Sequence, residues 1–221
     1  ARDAASAQML SQQAARLPEL RRPIVVQGSA ESAVEELAAA GQGAIRFDVM
    51  VGRNVLTRSG HRAALLSRLA SLCLPGAQLS LAEVTPRLGQ RLYALVPAEG
   101  LDPALYDAWR QAEEAIYASP EDPMSNWEPD DLRLALERAG WEGATIATEA
   151  TQAEIRITPA QLDRWFTLHS EGRLSYAMHL TRVLSTDQVA EIEGHLRQAL
   201  QEATVSWRST TTYLFGHWSE A

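Results

Sequence analysis

Gly52-Arg53-Asn54 and Glu83 stand at the carboxyl ends of two segments with strand composition, Phe47–Val51 and Ala77–Val84. A helical run joins the two. Ligands of an open α/β sheet bind outside the carboxyl ends of its parallel strands, so these four residues fall where a ligand would sit. By residue type alone, Asn54 reads equally as a turn or helix cap, and Arg53 as a surface side chain. Farther on, Arg87 and Arg91 are four apart and would either clamp an acidic group or form a solvated pair. Gly28-Ser29-Ala30-Glu31 follows another apolar run, Pro23–Gln27. There Ser29 would cap the next helix, with Glu31 in its first turn, where a negative charge suits the helix dipole.

Other chemistries are poorly supplied. The histidines (His61, His169, His179, His195, His217) have no metal-ligand spacing, and no Cys-x-x-Cys pair exists. A Gly-x-Ser-x-Gly elbow is absent. Every basic residue is Arg, so a phosphate loop ending in Lys is excluded. The one cysteine, Cys73, falls on an apolar helical stripe and reads as an inert core thiol in a reducing compartment, hence a cytoplasmic protein. A net charge of −8 with scattered Arg argues against a general nucleic-acid-binding face. No apolar run approaches membrane-spanning length, and no signal-peptide pattern opens the chain.

The elements that must position these residues follow from periodicity. Phe47–Val51 is a short apolar run, expected to be a strand covered on both faces. Leu65, Leu66, Leu69, Leu72 and Cys73 recur at helical spacing up to Pro75-Gly76, which should stop that helix. Strand–helix–strand implies two parallel strands with a right-handed crossover. Around this unit the pattern predicts helices over Asp3–Leu17, from Val34 to Gly41, after Asp102-Pro103 and over Pro129–Ala139. It also predicts strands at Pro23–Gln27, Ala144–Thr148, Glu154–Ile157 and Val205–Leu214. Three further helices precede that last strand, one of them opened by a capping box of Ser185 and Gln188.

Phe47-Asp48-Val49-Met50-Val51-Gly52-Arg53-Asn54-Val55-Leu56, with Leu74-Pro75-Gly76-Ala77-Gln78-Leu79 after the helix, resembles the fourth and fifth strands of class I S-adenosylmethionine-dependent methyltransferases. Arg53-Asn54-Val55-Leu56 is especially similar to the chemotaxis-receptor glutamate methyltransferases. The likeness covers roughly Ile24–Val96, about a third of the chain. It implies an α/β fold with a partial Rossmann-like sheet, strands 3–7 of the family, and a helical insertion at 158–203 before an antiparallel last strand. It implies S-adenosylmethionine as cofactor of the complete domain, with Gly28, Ser29, Glu31 and Gly52 on the cofactor. Arg53 and Asn54 would face the methyl-donating region, and Glu83 would bind or orient the methyl acceptor.

The chain departs from that pattern in two places. Ser29 stands where the family places an acidic residue against the adenine, leaving Glu31 as the alternative contact. No strand followed by a Gly-x-Gly turn occurs, and such a turn needs glycine because any side chain would fill the cofactor's space. The expectation is therefore a single domain fragment, 1–221, cut from a larger polypeptide and unable to hold cofactor alone. In the family the missing first strand would lie beside Phe47–Val51. Its absence would leave an apolar edge open to the rest of the parent chain, to Ile24–Gln27, or to a second copy in a homodimer. A fainter likeness, in the Arg53-Asn54 loop and the helices before Val205-Ser206-Trp207-Arg208-Ser209, is to methyltransferase-like domains fused behind AAA+ ATPases of the replication-associated recombination type. That alternative implies a non-catalytic interaction module.

Overall fold

A computed structural model describes residues 3–168 and 174–219; His169 lies outside them. The elements in order are α1 (Ala4–Ala15), α2 (Ala33–Ala39), β1 (Phe47–Arg53), α3 (Arg62–Ala70), β2 (Cys73–Val84), α4 (Pro103–Ala118), α5 (Pro129–Arg138), β3 (Trp141–Arg156), α6 (Pro159–Phe166), α7 (Tyr176–Leu180), α8 (Thr186–Leu200) and β4 (Thr204–Trp218). The class is α/β, with a mixed four-stranded sheet in the order β1-β2-β4-β3. Helices α6, α7 and α8 stand between β3 and the last strand, as expected. Among the described residues no helix is long and apolar enough to cross a membrane.

The chain divides into two compact units. The first comprises Ala1–Glu83, Pro129–Ala147 and Tyr213–Ala221. Its β1 and β2 are parallel, with Met50 opposite Leu79 and Arg53 opposite Ala82. The crossover helix α3 buries Leu65, Leu66 and Leu69, and packs on α5, which buries Leu132 and Leu136. Each such leucine contributes about 1.5–3 kcal/mol over an exposed one. Trp141 joins this core and donates its indole N–H to the Leu66 carbonyl at 3.2 Å. Asp130 and Asp131 in the first turn of α5, and Arg138 in its last, suit the helix dipole.

Three expectations for this unit are corrected. Pro23–Gln27 forms no strand and does not pair with the open side of β1: Ile24, Val25 and Val26 instead line a cavity against α1 and α2, and that packing overrides their β composition. Helix α3 stops at Ala70, so Pro75-Gly76 lies inside β2 instead of ending the helix. Between Phe47↔Cys73 and Val49↔Gln78 the register slips, and the extra residues form a bulge containing Pro75 and Gly76. Pro cannot donate to a ladder, and Gly76 takes φ +83° there. Cys73 therefore begins a strand, although its thiol is buried as expected; burial pushes it up from the ordinary thiol range. Finally, β1 is not covered on both faces. It is an edge strand, with Val49 53% and Val51 78% exposed.

The second unit comprises Val84–Glu128 and Thr148–Thr212. Its core gathers Trp109 from α4, Leu162 from α6, Leu180 from α7, and Ile192 and Leu196 from α8. Helix starts follow their sequence signals. Asp102 caps α4 by accepting from the amides of Ala104 and Leu105, and Pro103 opens the helix. Thr158 with Gln161, and Ser185 with Gln188, close reciprocal capping boxes on α6 and α8.

The two strands expected between Trp141 and Ile157 are one continuous strand, β3. The polar stretch between them does not turn. Instead it pairs antiparallel along β4: Thr151 donates to the Ser209 carbonyl, and the Ile157 amide to Ala203 at 2.9 Å. A ladder partner of 15 residues outweighs the turn preference of a few polar side chains.

Candidate functional site

Glu83, at the end of β2, is fully buried. Its Oε1 accepts from the Val55 amide at 2.9 Å, and its Oε2 from the Leu56 and Thr57 amides at 3.1 and 2.7 Å. The Thr57 hydroxyl adds a fourth bond at 2.6 Å. One side chain thus supplies the acceptors that three backbone amides would otherwise lack. The loop after β1 is clamped onto the end of β2. Half-buried Arg62 lies near Glu83 and Asp131, whose charges partly offset the lowering that burial imposes on its guanidinium.

Asn54 begins this loop with φ +53°, and its amide continues the ladder to the Ala82 carbonyl at 2.9 Å. Asn tolerates the left-handed region better than most residues, so the turn reading of the sequence accounts for its type. Arg53 and Asn54 are exposed at the strand end. Gly52 is packed by its own chain: a Cβ there would lie 2.5 Å from Val55 Cγ2 and 2.9 Å from Leu81 Cδ2.

The remaining candidates lie elsewhere in this unit. Gly28 and Ser29 line an apolar cavity of about 780 Å³ between α1, the 23–30 segment and α2; Leu10, Ile24, Val26 and Leu37 supply its walls. Ser29 and Ser32 exchange hydrogen bonds, each amide donating to the other's hydroxyl at 3.1 and 3.2 Å. The helix itself begins at Ala33, so Glu31 precedes its first turn, which holds Glu35 and Glu36, and Ser29 is not its N-cap. Glu31 is exposed. A cradle for S-adenosylmethionine needs open space over glycine and free polar groups facing it. At Gly52 that space is filled, at Gly28 a Cβ would meet Glu36 Cγ at 2.7 Å, and Glu83 is taken. These residues do not by themselves fit the cofactor.

Arg87 and Arg91 do not clamp one group. Arg87 pairs with Glu128 at 3.2 Å, and Arg91 with Glu114 at 3.0 Å while lying 3.7 Å over the Tyr117 ring. Burial would raise Glu114, but the hydrogen bonds from Arg91 and Tyr93 outweigh it and hold the carboxyl below its ordinary range.

A buried carboxylate in the second unit was not anticipated. Glu113 on α4 accepts from the Leu92 amide at 2.6 Å, the Tyr93 amide at 3.2 Å and the Tyr176 hydroxyl at 2.6 Å. Trp109 donates its indole N–H to the same hydroxyl at 2.5 Å. Desolvation pushes Glu113 up despite these bonds, and burial pushes Tyr176 well above the usual phenol range. The signal was present: Glu113 sits four residues after Trp109 and three before Ile116, on the apolar stripe of its own helix.

No protein-family model matches the chain, and no curated protein matches its sequence. Solved structures do align with it. The YcgJ protein of Bacillus subtilis is 12% identical over 98% of this chain and 78% of its own, with a TM-score of 0.46. A cyclopropane-fatty-acyl-phospholipid synthase-like protein from Lactobacillus casei is 18% identical over 93% and 67%, at 0.41. Phosphoethanolamine N-methyltransferase 2 of Haemonchus contortus, solved with S-adenosylhomocysteine, is 11% identical over 79% of this chain, at 0.32. The chain spans 34% of that enzyme's length, and 65% of a candidate methyltransferase from Bacillus halodurans. At these identities and scores the functional reading rests on the chain's own residues.

Proposed function

We propose that this chain is the C-terminal part of a class I S-adenosylmethionine-dependent methyltransferase-like domain, whose glycine-rich turn is supplied by residues outside it. The observation that carries the reading is the clamped loop at the carboxyl ends of two parallel strands: Arg53 and Asn54 at one end, Glu83 at the next. That is where an open α/β sheet holds its ligand, and where the residues resembling the family occur. The place of β1 at the edge of the sheet, with Val49 and Val51 exposed and no strand on its outer side among the described residues, supports the same reading, since an apolar edge of this kind calls for another strand. In this view Glu83 is a positioning residue that shapes the loop, and Arg53, exposed at the end of β1, is the group that would meet a ligand, with Asn54 setting the turn beside it. When bound, the cofactor would supply an electrophilic methyl group.

Isothermal titration with S-adenosylmethionine on this chain and on a longer polypeptide containing it tests the proposal. Saturable binding by the longer polypeptide alone is the expected result. Saturable binding by this chain alone would overturn the incomplete-cradle reading. Silence from both would overturn the cofactor reading and favour the interaction module of an AAA+ ATPase.

A further inference from the structure

We propose that the second unit carries a binding site for a flat aromatic molecule bearing a carboxylate or a similar anionic group. The site lies wholly within that unit and its occupancy needs no cofactor, so it stands apart from the methyltransferase reading. It is a cavity of about 480 Å³, inside the range of roughly 300–1,000 Å³ that holds small organic ligands. Trp165 and Trp207 stack at 6.1 Å between centroids and 24° between planes, and both line the cavity with Tyr117 and Tyr176. All four rings are only partly buried. Apolar ring surface left beside an open cavity is stabilised when another flat apolar group covers it.

The polar lining decides the sign of the ligand. Most of it is already engaged by the chain. The Gln90 amide bonds the Arg208 amide and the Arg91 carbonyl. Ser125 donates to the Ile116 carbonyl, and Ser175 caps α7 while donating to the Thr167 carbonyl. The Tyr176 hydroxyl lies between Trp109 and Glu113. Asp122, the one acidic lining residue among those described, accepts from the Met124 amide in its own turn at 2.9 Å. Thr167 and His179 also have partners.

Arg164 differs. It lines the cavity from the last turn of α6, is exposed, and has no carboxylate partner among the described residues. An aromatic wall with a guanidinium at its rim that has no carboxylate partner among the described residues selects an aromatic anion over its neutral analogue, because Arg binds carboxylates through paired N–H donors. The plainer alternative is that Arg164 is solvated and merely complements the carboxyl end of its helix.

Titration of the full chain with 2-naphthoate and with its neutral analogue, 2-naphthamide, separates the two. Calorimetry and tryptophan fluorescence should both report one saturable naphthoate site. Arg164→Gln, at an exposed position that leaves the core intact, should weaken naphthoate about tenfold while leaving the amide unchanged, the size of one lost charge-assisted contact. Trp207→Leu should weaken both probes. No saturable naphthoate binding at millimolar concentration would overturn the proposal. So would equal loss of both probes in Arg164→Gln, or a wild-type preference for the amide.

Discussion

Thr57 supplies two of the four hydrogen bonds on Glu83, through its amide at 2.7 Å and its hydroxyl at 2.6 Å. The two residues are 26 positions apart, so this pair fastens one strand end to the loop beyond the next. Thr57→Val keeps the shape and removes only the hydroxyl bond, for an expected loss of roughly 1.5–3 kcal/mol. Glu83→Ala leaves buried amides without partners and should cost about 3 kcal/mol or more. Urea denaturation followed by circular dichroism reads both. Equal stability of Glu83→Ala and wild type would remove the clamp from this account.

Gly52→Ala tests whether that glycine answers to packing. The new methyl would meet the ends of Val55 and Leu81, and an overpacked site of this kind costs about 1–3 kcal/mol. Shortening Leu81 to Val in the same chain should recover part of the loss, a coupling that a double-mutant cycle measures. Additive losses would place the cost elsewhere.

Glu113 makes stability depend on pH. Burial raises its folded carboxyl above the ordinary 4.5, so the folded state holds the proton more tightly than the unfolded one. The contribution is full below pH 4.5 and is lost as pH rises through the elevated folded value. Glu113→Gln cannot titrate. Relative to it, the wild type should lose stability as pH climbs out of the acidic range, read as a pH series of urea midpoints. Parallel curves for the two proteins would contradict the raised carboxyl.

Val51 probes the open edge of β1. Val51 is 78% exposed on a strand that lies at the sheet edge among the described residues, and that edge is expected to recruit a second copy at high concentration. A charge there opposes edge pairing, so Val51→Lys should shift sedimentation toward the monomer. Identical sedimentation of both forms across concentrations would argue against pairing through this edge.

Local signals were legible wherever one residue answers to its immediate neighbours. Asp102, Thr158 and Ser185 cap the helices they announce, and the leucines of α3 bury as their spacing requires. Reading failed where a distant segment arbitrates. Pro75-Gly76 has the composition of a helix stop yet lies in a strand bulge, because β1 pairs on either side of it. The polar middle of β3 looks like a turn and is held straight by β4. Pro23–Gln27 has strand composition yet packs against α1 and α2 instead of joining β1.

The same division runs through the site. The amino-acid order alone determined that a strand–helix–strand unit would set Arg53, Asn54 and Glu83 at neighbouring strand ends, since that follows from periodicity and chain direction. Only the tertiary structure decided what each group does there. It spent the Glu83 carboxylate on three backbone amides and a hydroxyl, filled the space over Gly52, and closed Glu113 beneath Tyr176. Hydrogen-bond partners and desolvation are properties of neighbours in space, and those neighbours come from segments that periodicity cannot pair.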